Sequence, residues 1–198
     1  MLSLSIILAA CGNDSSKTQE NNDSSSSTEN VDTTENQEAE KVEIAEKKEE
    51  PKISTINAGE PAEVTDFAEI TVQKAVFGKV INPPNPDSFY SYYKNSEADE
   101  TFLDTVIAVK SLLTSGRSAD EFVNVKIVYD NKYEYLTFST IEEGGGSDFT
   151  YTNITSIEPL NTGIIHYIAS VPTQVETDGK PLKAVITVNG ETFEYVIR

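Results

Sequence analysis

Few side chains of this sequence could carry out chemistry, because histidine and cysteine each occur only once among 198 residues. The histidine, His166, lies within Ile164-Ile165-His166-Tyr167-Ile168, a segment with the composition of a buried strand. General acid–base catalysis needs a partner held next to the imidazole, and no serine or cysteine lies in a recognisable nucleophile motif. We therefore expect His166 to be a hydrogen-bonded strand residue and predict no catalytic residue.

Carboxylates are plentiful, with 33 acidic residues against 15 basic ones and a formal net charge of −18. Calcium requires six to eight converging oxygens, and no segment has the spacing of a preformed calcium loop. A glycosidase would need two carboxylates on either side of a cleft. We predict no metal site and no enzyme; a calcium ion bridging two loops and an enzyme remain the less favoured alternatives. The acidic groups occur in three clusters: Glu97, Asp99, Glu100 and Asp104; Asp120 and Glu121; and Glu142, Glu143 and Asp148.

Aromatic residues are concentrated in one irregular segment, residues 78–100, where Phe89, Tyr90, Tyr92 and Tyr93 fall within five positions. Three prolines precede them and favour an extended backbone. Exposed aromatic side chains give a large contact area at a low entropic cost, as in binding loops. Two interpretations remain open: the four rings form a binding surface, or they pack back onto the domain as a lid.

The cysteine, Cys11, ends the apolar run MLSLSIILAA, which is too short to span a bilayer but has the length of a signal-peptide core. Leu8-Ala9-Ala10-Cys11 resembles the lipobox of bacterial lipoproteins, although no basic residue precedes the apolar run. The resemblance implies that residues 1–10 are removed and that Cys11 carries a diacylglyceryl lipid. Two acyl chains suffice for stable attachment to the cell membrane. It further implies a location on the outer face of the cytoplasmic membrane, at the cell surface.

Residues 11–56 follow as a Ser-, Asn- and Glu-rich stretch without an aromatic residue. Counting residues 12–52 gives 12 acidic and 5 basic side chains. Such a composition cannot bury enough apolar surface to offset its conformational entropy, so we predict a disordered tether. The net charge of −18 over the whole chain also excludes nucleic acid as a partner, because binding phosphates needs clustered basic side chains.

Residues 57–198 have the pattern of an all-β domain. Apolar residues alternate along Val123–Tyr129, and the segments Lys183–Val188 and Glu191–Ile197 on either side of Asn189-Gly190 form a predicted hairpin with a type I′ turn. Leu103–Leu112 is predicted as a strand, with an amphipathic helix as the alternative. Seven to nine strands with few helical segments indicate an antiparallel β-sandwich.

Several short features of this region occur in an order that resembles an immunoglobulin-like domain of unassigned function, found on Gram-positive lipoproteins and secreted antigens. They are Gly59-Glu60, Glu69–Val72, Val106–Val109, Pro159-Leu160 and Val171-Pro172. The resemblance implies an extracellular module. We predict that it is non-enzymatic, needs no cofactor and binds an extracellular protein or a cell-wall ligand. The alternative is a structural accessory subunit of a membrane transport or sensing assembly.

Overall fold

The computed structural model describes residues 53–198. The predicted lipobox with Cys11, the predicted leader and most of the predicted tether lie outside the described residues. Within the described part there are fifteen strands, one α-helix and two single 3₁₀ turns. The strands are β1 (Ile53–Ile56), β2 (Pro61–Val64), β3 (Ala68–Gly78), β4 (Val80–Ile81), β5 (Tyr93–Lys94), β6 (Glu100–Ser111), β7 (Arg117–Ser118), β8 (Asn124–Tyr129), β9 (Tyr133–Leu136), β10 (Phe138–Glu143), β11 (Asp148–Tyr151), β12 (Ser156–Ile157), β13 (Thr162–Pro172), β14 (Leu182–Val188) and β15 (Glu191–Val196).

The helical segments are short: α1 is Thr173–Thr177, and the 3₁₀ turns are Ala119–Glu121 and Thr152–Ile154. Among residues 53–198, no helix has the length and apolar character needed to cross a membrane.

Two sheets share one core, which confirms the predicted β-sandwich. One sheet has five strands in the order β1-β15-β14-β8-β9, and the other has six in the order β11-β10-β13-β6-β3-β2. The sheets therefore contain more strands than the seven to nine expected, and two short pairs, β4-β5 and β7-β12, add to them. Alternate residues of each strand meet between the sheets, because side chains alternate across a strand; Ile107, Ile165 and Ile186 are fully buried there.

The first strand begins earlier than expected. β1 lies within residues 11–56, which the sequence assigned to the tether, and it pairs in parallel with β15 at the edge of the five-stranded sheet. Ile56 is buried in the core at the end of β1. The folded domain thus includes residues 53–56, and this pair departs from an otherwise antiparallel sandwich. The segment has only two apolar residues, so its composition did not distinguish it from the polar stretch before it.

The predicted turn at Asn189-Gly190 and the long central strand are confirmed, and a second turn of the same kind lies at Asp130-Asn131. Asn189-Gly190 joins β14 to β15 with φ values of 45° and 85°, and Asp130-Asn131 joins β8 to β9 with 53° at both residues. Positive φ at two successive residues matches the right-handed twist of a hairpin. Leu103–Leu112 is not a helix: β6 lies between β13 and β3 and pairs with both along its length.

The outer face of the six-stranded sheet is also covered. Ile81 on β4 and, from β5, the half-buried Tyr93 pack onto Phe102, Phe149 and Ile168, forming a second and smaller apolar cluster. The segment between β3 and β6 therefore covers part of the sheet rather than extending away from it. As a result, polar side chains on this face of β6 and β13 are buried, which positions the site described next.

Candidate functional site

His166 lies on the covered outer face with a carboxylate at each ring nitrogen. Its Nδ1 is 2.8 Å from Oδ2 of Asp104, and its Nε2 is 3.1 Å from Oε1 of Glu142. His166 is 3% exposed and Asp104 is 2% exposed. The Phe149 ring contacts the imidazole edge-on, with ring centroids 4.8 Å apart. These contacts link β6, β10, β11 and β13.

The arrangement favours the charged imidazolium. Carboxylates only accept hydrogen bonds, so both ring nitrogens must carry a proton to donate to them. Burial alone would lower the pKa of His166, but the hydrogen bonds and charges of Asp104 and Glu142 outweigh it and raise that pKa above its ordinary value of 6.5. Within the described residues the second oxygen of Asp104, Oδ1, is buried without a hydrogen-bond partner. The histidine therefore neutralises part of a buried negative charge.

Strand register brings these three residues together. His166 is paired with Val106 on β6, so Asp104 lies two residues along on the same face. His166 is also paired with Thr140 on β10, and Glu142 lies two residues beyond it. The sequence placed His166 in a strand but did not identify its carboxylate partners. The available signal was Asp104 itself, an acidic residue inside the apolar segment Phe102–Val109.

Catalysis by His166 would need a ring nitrogen that is free to exchange a proton with a substrate. In this structure both nitrogens contact carboxylates and the side chain is buried. The geometry therefore suits an internal ion-paired group that joins three strands.

The segment between β4 and β5 is attached to the loop between β10 and β11. The backbone N–H of Asn85 donates to the carbonyl of Gly146 at 2.8 Å, and its side-chain amide donates to that of Gly145 at 3.1 Å. The Ser91 N–H donates to Oδ1 of Asp148 at 2.6 Å. This hydrogen bond and that from the Phe149 N–H lower the pKa of Asp148, which therefore carries its negative charge at neutral pH.

The four aromatic residues predicted as a binding surface do not behave alike. Phe89 is 93% exposed, Tyr92 is 57% exposed and Tyr90 is 38% exposed. Tyr93 instead packs onto Phe138 and Phe149, with ring centroids 5.0 and 5.9 Å away. Tyr93 therefore packs back onto the sheet, whereas Phe89, Tyr90 and Tyr92 are presented to solvent. A binding surface stays a prediction for the three exposed rings.

A groove with a volume of about 480 Å³ lies between this segment and β11, and we call it the aromatic groove. Its rings come from Tyr92, Tyr93, Phe149 and Tyr151, and its carboxylates from Glu143 and Asp148. Ser91, Thr150 and Ile154 complete the lining, so no lysine or arginine is among the residues that form it. Tyr151 and Ile154 are 67% and 73% exposed. The groove is a solvent-exposed surface with large apolar side chains and two acidic groups.

A second group of rings lies at the other sheet, and we call Tyr129, Tyr133, Lys132 and Lys180 the tyrosine–lysine cluster. The rings of Tyr129 and Tyr133 stack with centroids 6.0 Å apart. The Nζ atoms of Lys132 and Lys180 lie 5.0 and 5.7 Å from the centroids of Tyr133 and Tyr129. A smaller concavity of about 220 Å³ adjoins it.

Carboxylates complete this cluster. The Tyr129 hydroxyl donates to Asp178, and Lys180 pairs with Asp130 at 3.0 Å. The hydrogen bond from Tyr129 lowers the pKa of Asp178, and the pKa of Tyr129 is correspondingly raised. The cluster's cations and anions thus largely bind one another.

The other acidic groups do not form a metal centre. Within residues 53–198 no set of three or more His, Cys, Asp or Glu side chains is arranged to hold a metal ion. Glu100 accepts a hydrogen bond from Ser170 at 2.5 Å, and Asp120 accepts one from Ser118 at 2.5 Å. These contacts are local connections within the fold.

No protein-family model matches the chain, and no curated protein matches it. Among solved structures, the chain is similar to an uncharacterized β-sandwich protein from Clostridium difficile 630, with 28% sequence identity and a TM-score of 0.69. That match covers 77% of this chain and 99% of the other. A conserved hypothetical protein from Bacillus anthracis matches with 13% identity and a TM-score of 0.48, over 73% of this chain and 95% of that one. The first of these comparisons supports the β-sandwich fold of this domain. The description of that similar structure names no function.

Proposed function

We propose that this chain is a non-enzymatic binding module that holds a partner in the aromatic groove. One observation carries the proposal: Tyr92 is exposed and lines the aromatic groove, and Phe89 and Tyr90, just before it in the sequence, are exposed as well, while the adjacent Tyr93 packs onto the sheet. A ring cluster that served only to cover the sheet would bury its members. Rigid aromatic side chains on an anchored backbone lose little conformational entropy on binding.

The proposed location of the module is outside the cytoplasmic membrane, attached through a lipid on Cys11. Its support is the lipobox pattern Leu8-Ala9-Ala10-Cys11 and the polar stretch that follows. The partner is then an extracellular protein or a cell-wall ligand. In cells fed radiolabelled palmitate, wild type should be labelled and Cys11→Ala should not. Continued labelling of Cys11→Ala would contradict the anchor.

The absence of catalysis is part of the proposal, and it is supported by the contacts of His166. Both imidazole nitrogens face carboxylates at hydrogen-bond distance, which leaves neither for a substrate. We therefore expect the module to release its partner without having changed it chemically.

The binding test is affinity capture from whole cells with the full chain as bait. The double variant Phe89→Ala/Tyr92→Ala should lose captured partners without a change in melting temperature, because both side chains are exposed. Tyr133→Ala is the matched control, since it removes a 46% exposed tyrosine from the other sheet.

Unchanged capture by the double variant, or equal loss with Tyr133→Ala, would contradict the proposed function. A fall in melting temperature of the double variant would instead show that these rings stabilise the fold.

A further inference from the structure

We infer that the aromatic groove binds a basic side chain, arginine above lysine, presented by a protein partner. This inference rests on the proposed function and names the chemistry of the partner. It follows from three features of the groove: its charge, its uncovered rings and the lack of a cation over those rings among residues 53–198.

The groove is negatively charged at its floor. Asp148 holds Ser91 and its own neighbour Phe149 through Oδ1, so its carboxylate is fixed in position and ionised. Glu143 pairs with Asp148 across β10 and β11, which places the two residues side by side in the sheet. A cation that entered would meet the fixed carboxylate of Asp148, with that of the exposed Glu143 on the neighbouring strand.

The rings of the groove lack the cations that cover rings elsewhere. In the described part of the chain, cations lie over Phe67, Tyr129 and Tyr133, and they come from Arg117, Lys180 and Lys132. Corresponding contacts to the groove residues Tyr92 and Tyr151 are not found among residues 53–198. A ring face with carboxylates nearby attracts a cation, and the attraction strengthens when water is excluded.

The two basic residues of the segment 78–100, which carries Tyr92, are directed elsewhere. Lys79 donates through Nζ to the carbonyl of Glu97 at 2.5 Å. Lys94 follows Tyr93 on β5, and successive side chains of a strand point to opposite faces. The tract before the domain, residues 12–52, has 12 acidic and 5 basic residues, so its charge opposes insertion into this groove.

Arginine is the better fit of the two cations. Its planar guanidinium stacks on an aromatic face and donates to carboxylates from a rigid fork, whereas the lysine ammonium is compact and more strongly hydrated. The net acidity of the chain would also attract a basic segment before contact, in a manner that salt weakens.

The test is an NMR titration of the full ¹⁵N-labelled chain with a blocked hexapeptide that contains two arginines. The matched probes contain lysine or the uncharged arginine analogue citrulline at those two positions. We expect amide shifts at Ser91, Asp148 and Tyr151, with affinity in the order arginine, lysine, citrulline. The arginine peptide should bind at least fivefold more tightly than the citrulline peptide, and 0.5 M salt should remove most of this difference.

Two variants test the residues. Asp148→Asn keeps an oxygen that can accept the Ser91 N–H, and Glu143→Gln keeps the shape of the side chain. Each should weaken the arginine peptide at least threefold, while Asp130→Asn, in the tyrosine–lysine cluster, should not. Equal binding of the arginine and citrulline peptides, or arginine binding unaffected by both groove variants, would overturn the inference.

Failure of this inference can be distinguished from failure of the proposed function. If capture depends on Phe89 and Tyr92 but the peptides do not discriminate by charge, the groove binds a partner of other chemistry. If capture is also independent of Phe89 and Tyr92, both proposals are wrong.

Discussion

The aromatic groove and the tyrosine–lysine cluster are built from the same kinds of side chain, tyrosines beside carboxylates at a concave surface. In the cluster, Lys132 and Lys180 lie over the rings, and Lys180 also pairs with Asp130. In the groove, Asp148 is bound by backbone N–H groups, and no basic residue belongs to the lining. The tyrosine–lysine cluster therefore contains the cations that balance its carboxylates, whereas the aromatic groove has rings and carboxylates with no cation in its lining.

The two regions also differ in what lies beneath them. The groove ring Phe149 rests on His166, whose buried ion pairs join three strands of the six-stranded sheet. The cluster lies at the outer strand of the five-stranded sheet, where its ion pair is partly exposed. The proposed binding surface therefore lies on a buried group with ion pairs to two carboxylates, whereas the cluster is attached to the main core through Tyr129.

The largest effect in this comparison is expected for His166→Gln. The substitution removes the cation between the buried carboxylate of Asp104 and the half-buried carboxylate of Glu142. Breaking a buried ion pair typically lowers the free energy of unfolding by about 3–5 kcal/mol. Guanidinium denaturation measures the change. Lys180→Gln, which removes the cation of the cluster, should have a much smaller effect because that pair is partly exposed. A loss no greater than that of Lys180→Gln would show that the buried pairs do not support the groove.

The next largest effect is a difference in stability between the variants Tyr93→Ala and Tyr92→Ala. Tyr93→Ala removes a ring packed against Phe138 and Phe149 and should destabilise the domain by about 2 kcal/mol. Tyr92→Ala removes an exposed ring and should change stability by less than about 0.5 kcal/mol. Thermal unfolding of both variants checks the difference. Equal destabilisation would mean that the exposed rings also serve as a lid.

A pH dependence follows from the raised pKa of His166. The folded state binds this proton more tightly than the unfolded state, so the stabilisation is complete below pH 6.5. It is lost as pH rises from 6.5 through the higher folded pKa, with a slope of at most about 1.4 kcal/mol per pH unit. Denaturation between pH 6 and 9 should show this fall in wild type, and His166→Gln should lack it. A stability that rises over this interval, or the same slope in the variant, would contradict a charged His166.

The smallest effect is expected in the cluster. Lys132→Ala removes a cation 5.0 Å from the centroid of Tyr133 and should destabilise by about 0.5 kcal/mol, the scale of an exposed cation–π contact. Lys132→Arg keeps the cation and should restore the stability. Paired urea denaturation of the three proteins measures the difference. If Lys132→Ala proves as damaging as Tyr93→Ala, the cluster is as important to the fold as the groove.

Much of the fold could be predicted from local patterns. The alternation in β8 and the Asn189-Gly190 turn are short-range signals, and both appear in the structure. β1 escaped prediction because its partner β15 lies at the far end of the sequence, and a few polar-flanked isoleucines show nothing of that pairing.

The candidate site was less accessible for the same reason. The contact between Asp104 and His166 depends on the register of β6 with β13, and a slip of one residue would move the side chain to the other face. Likewise, the aromatic segment was visible as a cluster, but only the structure separates Tyr93 from its exposed neighbours.

The parallel pairing of β1 with β15 has a consequence for how the molecule folds. Ile53 meets Thr192, about 140 residues away, and closing so large a loop carries an entropic cost before any contact repays it. Contacts of such long range slow folding. On the ribosome, β14 cannot gain its hairpin partner, nor β1 any partner in its sheet, until residues 191–196 have emerged. We therefore expect the five-stranded sheet to be the last part of a nascent chain to resist proteolysis.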